Sequence, residues 1–133
     1  MYLSRNSVFD AATPEEKLKL LPEVLELSLQ IKTPLPVKER PQRDISVLDP
    51  KLHPPKEGFS KLEGQGRLLH DLASIELQAM ELGLRTLVEY PEAPRYFREQ
   101  LAEIVLSEGR HLELCLHRLQ DIGYAWGTWP IHM

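Results

Sequence analysis

Leu69-His70-Asp71-Leu72-Ala73-Ser74-Ile75-Glu76-Leu77-Gln78-Ala79-Met80-Glu81-Leu82-Gly83-Leu84 is the stretch on which the fold turns. Leu69, Leu72, Ala73, Met80, Gly83, Leu84 and then Leu87 recur at three- and four-residue intervals. That period places them on one face of a helix, running from near Ser60 to about Glu89. Tyr90-Pro91-Glu92-Ala93-Pro94 ends it, because Pro91 pushes Tyr90 out of helical geometry and Pro94 is suited to open a new helix. Phe97, Leu101, Ile104, Val105, Leu112, Cys115 and Leu119 mark the expected buried face of that second helix, and Gly123 closes it in a left-handed cap. The reading is an αα-hairpin. Helices of this length need more than one neighbour in a bundle.

Both buried stripes carry a carboxylate. Glu76 is in line with Leu69, Leu72, Ala73, Met80 and Gly83, while Glu108 shares its stripe with Leu101, Ile104, Val105, Leu112 and Cys115. His111 sits one turn beyond Glu108 on the same face. Residues equidistant from the turn of an antiparallel hairpin are level, and position 92, midway between 76 and 108, lies inside the reversal. Two acids therefore meet in a seam expected to be dry. An unpartnered carboxylate there costs several kcal/mol, so it is protonated, paired with a cation or bound to metal. One Glu from one helix and Glu-x-x-His from its neighbour form half of a di-metal carboxylate site. Carboxylates bridge two ions and imidazole fills a terminal position without adding charge. The tetrad alone is expected by chance in so glutamate-rich a chain; its weight comes from the stripe, the matched height and Glu76. The competing reading pairs Glu76 and Glu108 with Arg67, Arg110 or His111 in a structural ion network.

Neighbouring candidates take supporting roles. Glu81 lies about 7.5 Å along and roughly 140° round the helix from Glu76, so it is expected to face solvent or a flank. His70 is about 9 Å before Glu76 and some 120° round, as a residue behind the ligands or a cap. Cys115 shares the face of His111, where a small thiol packed among leucines is the commoner arrangement. Gly109 either permits close helix approach or is a tolerated surface glycine. Glu113 and His117 have the i, i+4 spacing also available to a zinc site but project away onto a solvated face, and Trp126, Trp129 and His132 are expected to cap the end of the bundle, with a partner surface as the second choice.

Upstream, Thr13-Pro14-Glu15-Glu16 reads as an N-cap, a proline at the first helical position and a capping-box glutamate. Pro22 is expected to kink or split the short helix that follows, which should be peripheral. Six prolines between Thr33 and Gly58 impose an extended strap. The organisation expected is residues 1–59 as helix and strap, and 60–133 as hairpin and aromatic tail.

Composition narrows the chemistry. The chain has 133 residues, 42% hydrophobic and 27% charged, with 16 Lys plus Arg against 20 Asp plus Glu and one cysteine. That length suits one core. A lone cysteine excludes an internal disulfide and a cysteine cage, leaving oxygen and nitrogen ligands. Without a basic run, nucleic acid is a poor partner. Without a long apolar stretch or signal-peptide pattern, a soluble, cytoplasmic protein with no membrane partner is expected.

At Glu76 and Glu108-Gly109-Arg110-His111 the sequence resembles the ferritin-like family catalogued as domain of unknown function 455. The similarity covers most of the chain. It is strongest over His70 to Leu82, over Ser107 to His111, and over Gly123-Tyr124-Ala125-Trp126-Gly127-Thr128-Trp129-Pro130-Ile131-His132. The resemblance implies an all-α, four-helix ferritin-like bundle, distantly related to rubrerythrins and to tRNA-modifying di-iron hydroxylases. It implies Glu76, Glu108 and His111 as metal ligands and no known reaction. Family members continue past the position of His132 into a second hairpin with another Glu and another Glu-x-x-His, so this chain is expected to hold half of the bundle. The expectation is two iron or manganese ions shared between hairpins, in a homodimer through the hairpin seam or with a missing second hairpin. Oxygen or peroxide chemistry of oxidoreductase type, on an unknown small-molecule substrate, is the expected activity. The alternatives are a metal-free interaction module and, by fold analogy alone, a tRNA-modifying hydroxylase.

Overall fold

The computed structural model describes residues 7–37 and 40–132. Among these it is all-α: α1 (Pro14–Gln30), α2 (Leu62–Glu89) and α3 (Arg95–Asp121), with one 3-10 turn (Pro50–Leu52) and an isolated parallel bridge between Val47 and Ile131. No helix among the described residues is long and apolar enough to cross a membrane.

Local chemistry accounts for the ends. Thr13 is extended and its hydroxyl accepts the Glu16 amide at 3.1 Å, with Pro14 at the first helical position and Glu15 and Glu16 against the positive end of the helix dipole. α3 begins after Pro94 and closes at Gly123 (φ +93°), where the Gly123 and Tyr124 amides donate to Gln120 and Leu119 at 3.0 and 3.1 Å. The last turn of α1 holds no basic residue. Arg98 of α3 serves it instead, donating to the carbonyls of Ser28 at 2.7 Å and of Leu87 at 2.9 Å, which ties all three helices together.

The split expected as one outcome at Pro22 does not occur, for α1 runs through it as one helix. Pro22 is exposed, while Leu21, Val24 and Leu25 are buried on the other side. Burying three aliphatic side chains at about 1.5–3 kcal/mol each outweighs the roughly 3 kcal/mol of an internal proline. α1 is accordingly not peripheral and belongs to the core.

α2 and α3 form the antiparallel hairpin. Gly83 allows close approach, since a Cβ there would stand 2.5 Å from Val105 Cγ2. α1 crosses the hairpin at Gly109, where a Cβ would meet Leu21 Cδ2 at 3.0 Å. The strap returns along α2, with Leu35 bonded to the carbonyl of Val88, Arg43 on Glu81, and Pro54 accepting from Arg67. Backbone bonds join strap and tail, the Leu48 amide donating to Ile131 at 2.7 Å and the Ile131 amide to Ser46 at 2.9 Å.

The side on which α1 docks corrects the expected burial of the hairpin. On α3 the buried positions are Arg98, Ala102, Val105, Gly109, Leu112 and Leu119, whereas Phe97 and Ile104 are 47% and 54% exposed. Leu72 of α2 is also exposed. The stripe shared by Glu76 and Glu108 lies at the margin of the core, and none of the described residues covers the far side of the hairpin.

Candidate metal centre

Glu76 projects from the middle of α2, and Glu108 and His111 from successive turns of α3. The hairpin brings them level: each offers a ligand atom, and these atoms all lie within 4.8 Å of one another. His111 Nδ1 is 3.7 Å from Glu76 Oε2 and 3.7 Å from Glu108 Oε2. Those separations are too long for hydrogen bonds. They fit donors round one ion, since ligands at about 2.1 Å from a metal stand roughly 3.0–4.2 Å apart. Among the described residues neither acid has a Lys or Arg partner, so the ion network with Arg67 or Arg110 does not form: Arg67 lies by Asp71 at 3.5 Å, and Arg110 is exposed. Of the competing ion network only the His111 limb is in place, 3.7 Å from each acid; two carboxylates and an imidazole converging without a Lys or Arg are also a donor set suited to a divalent ion.

The dry seam is a correction. Glu76 and Glu108 side chains are 22% and 25% exposed, and that of His111 is 52% exposed. Water reaches the group because none of the described residues covers this face, on which Leu72, Phe97 and Ile104 are also exposed. Hydration lowers the cost of the two charges, so the need for a counter-charge is weaker than full burial would impose.

Glu81 does not face solvent but lies on the flank of α2 that meets α1 and the strap. Its side chain is only 5% exposed and binds the fully buried Lys17 Nζ at 2.9 Å, while the Arg43 guanidinium grips both of its oxygens. Lys17 also donates to the Val8 carbonyl at 2.7 Å. One carboxylate thus fastens the N-terminal segment, α1 and the strap to α2. Burial pushes the Lys17 amine below its ordinary value, and Glu81 opposes that shift. A signal was available: Lys17 shares the i, i+4, i+7 face of Leu21, Val24 and Ser28, and a lysine in such a stripe requires an acid partner.

His70 and Cys115 also stand outside the ligand group. His70 is fully buried, stacked on Trp126 at 5.0 Å and edge-on to Trp129 at 5.4 Å, and its Nε2 accepts the Gly127 amide at 3.0 Å. Burial lowers its pKa from 6.5 to about 4, so it is a neutral post around which the aromatic tail wraps. Trp129 packs also on Tyr124, and Gln78 donates to the His132 carbonyl at 2.8 Å, which closes the tail over α2. Cys115 is partly buried against the core, and burial raises its thiol pKa. Glu113 and His117 lie on the exposed face, as their spacing predicts.

Comparison with curated proteins gave no match, nor did comparison with solved structures. The model of one family, described as Protein of unknown function (DUF455), matches residues 10–133, a span that takes in α1, the strap, the hairpin with its Glu76, Glu108 and His111 group, and the tail. The chain belongs to the DUF455 family.

Proposed function

We propose that this chain supplies half of a ferritin-like two-metal carboxylate centre, with Glu76, Glu108 and His111 as the ligands and with oxidoreductase-type chemistry as its activity. The observation that carries the reading is the convergence of three donors within 4.8 Å with no Lys or Arg partner among the described residues. Iron or manganese, when bound, supplies the redox chemistry toward dioxygen or peroxide. The chain's own part is to hold the charge and the geometry: Glu76 and Glu108 contribute two negative charges from opposite helices and can each offer one or two oxygens, and His111 adds a neutral nitrogen. Gly83, two turns from Glu76, sets the spacing of the helices by its contact with Val105.

The open face supports completion by a second hairpin. Leu72 and Ile104, each one turn from a donor on its own helix, are exposed, and exposed apolar side chains beside a polar site suit an interaction surface. A second copy related by a two-fold axis would set another Glu and another Glu-x-x-His opposite the first, and a further hairpin in a longer chain would do the same. The same face also supports a second reading, a metal-free interaction module.

Titration with Mn2+, followed by the loss of the free-ion electron paramagnetic resonance signal, separates the two. The proposal expects saturation near about one ion per chain, with light scattering on the same sample reporting a dimer if the second hairpin is another copy. A folded dimer of the chain that leaves Mn2+ free would favour the metal-free module in its place.

A further inference from the structure

A second polar site lies on another side of α2. His53, Pro54 and Lys56 of the strap, Arg67 and Asp71 of α2, and His132 of the tail line a cavity of about 260 Å3. Asp71 is five residues before Glu76, about 7.5 Å along and roughly 140° round the helix, so this cavity is separate from the candidate metal centre. The two sites share no residue, and neither needs the other occupied.

Its charges are poorly spent. The Arg67 side chain is 4% exposed and donates to the Pro54 carbonyl at 3.2 Å, but its Nε is buried without a hydrogen-bond partner. Asp71 is the counter-ion for two cations at once, 3.5 Å from Arg67 Nε and 3.4 Å from Lys56 Nζ. Charge-assisted bonds run at about 2.7–2.9 Å, so Asp71 bonds neither tightly. The contrast is with Glu81, which meets Lys17 at 2.9 Å. Lys56 and Arg67 against Asp71 leave a formal positive charge here on a chain whose net charge is −4. Two imidazoles complete the wall, His53 and His132, with ring centroids 5.6 Å apart. His53 Nε2 lies 3.1 Å from the Leu48 carbonyl, and the His132 backbone is held by Gln78.

We infer that this pocket binds a small phosphate-type oxyanion, either inorganic phosphate or the phosphate group of a small monoester. The donor set is the Arg67 guanidinium, the Lys56 ammonium and the His132 imidazole from three separate segments, the His53 Nε2–H being taken by the Leu48 carbonyl. Such a set presents N–H donors from several directions, which suits a tetrahedral group with several acceptor oxygens. A metal ion is the poorer occupant, because His53, His132 and Asp71 do not bring their donor atoms together as Glu76, Glu108 and His111 do. The volume of about 260 Å3 falls below the roughly 300–1,000 Å3 of pockets that enclose larger ligands and admits a phosphate group.

Isothermal titration of the full chain with inorganic phosphate, with phenyl phosphate and with acetate, all in the same chloride buffer, tests this. Saturable binding of either phosphate compound, at least about tenfold tighter than acetate, is expected, because a dianion with more acceptors gains more from the same donors. Inorganic phosphate as the tighter probe identifies the free anion as the ligand, and phenyl phosphate identifies a monoester. Lys56→Gln, at a side chain 72% exposed, leaves folding intact and weakens binding by roughly three- to tenfold. Asp71→Asn removes the internal competitor and tightens it. Absence of saturable phosphate binding, acetate binding equally well, or both variants matching the parent would overturn the inference.

Discussion

Replacing Glu81 with Gln should be the most damaging single change to an acidic residue of the hairpin. Its carboxylate is 5% exposed and is the anion for the fully buried Lys17 and for Arg43, also 5% exposed. Removing one partner of a buried ion pair leaves an uncompensated charge and costs about 3–5 kcal/mol. That is a large share of the roughly 5–15 kcal/mol by which such a domain is stable. Lys17 keeps its bond to the Val8 carbonyl, which places the expectation toward the lower end. Urea unfolding followed by far-ultraviolet circular dichroism measures it, with Glu108→Gln as the comparison. The latter should cost less than about 1 kcal/mol, because its partner His111 is half-exposed and 3.7 Å away. Adding Lys17→Met to Glu81→Gln should restore part of the loss by removing the stranded cation. The Glu81→Gln deficit should also shrink as pH rises toward the ordinary lysine value of 10.5, because a deprotonated Lys17 needs no counter-ion. A loss under about 1 kcal/mol for Glu81→Gln, with Lys17→Met bringing no recovery, would refute the role of this carboxylate as the fastener of four segments.

Gly83→Ala gains about 1 kcal/mol of helix propensity, yet its Cβ would press to 2.5 Å on the buried Val105. Overpacking of this kind costs about 1–3 kcal/mol, so chemical denaturation should show a net loss and Mn2+ titration a weakened site as the helices separate. His70 has a folded pKa lowered from 6.5 to about 4, so the unfolded chain takes up its proton first. Stability is therefore insensitive to His70 above pH 6.5 and falls between pH 6.5 and 4 by up to about 3 kcal/mol; tryptophan fluorescence from Trp126 reports the release, and His70→Gln should flatten that limb. Cys115, whose thiol burial makes harder to ionise, should label with a disulfide reagent at pH 8 several-fold more slowly in the native chain than in urea.

How far these features are legible in the sequence depends on where the information resides. Thr13, Pro94 and Gly123 act on backbone within one turn of themselves, and the caps form as their chemistry dictates. The shared height of Glu76 and Glu108 needs only the rise of a helix and the position of the reversal, both local. The side on which α1 docks is different, since it is a relation between elements distant in the chain. Periodicity alone therefore puts Leu72, Phe97 and Ile104 inside when they lie outside, and puts Glu76 and Glu108 in a dry seam when water reaches them. Pro22 does not split α1 for a related reason: its local cost is real, and burial of Leu21, Val24 and Leu25 outweighs it. Glu81 falls to solvent or a flank when its angle is measured from Glu76 alone. Its burial is created by Lys17 and Arg43, both far away in sequence.

Metal analysis of purified chain grown in iron- and manganese-supplemented medium tests the central claim most directly, with Glu108→Ala prepared in parallel. The account predicts iron or manganese near about one ion per parent chain, and none in Glu108→Ala, whose circular dichroism and unfolding midpoint stay close to the parent's. A well-folded parent chain free of metal, or a Glu108→Ala chain that retains it, would contradict the account.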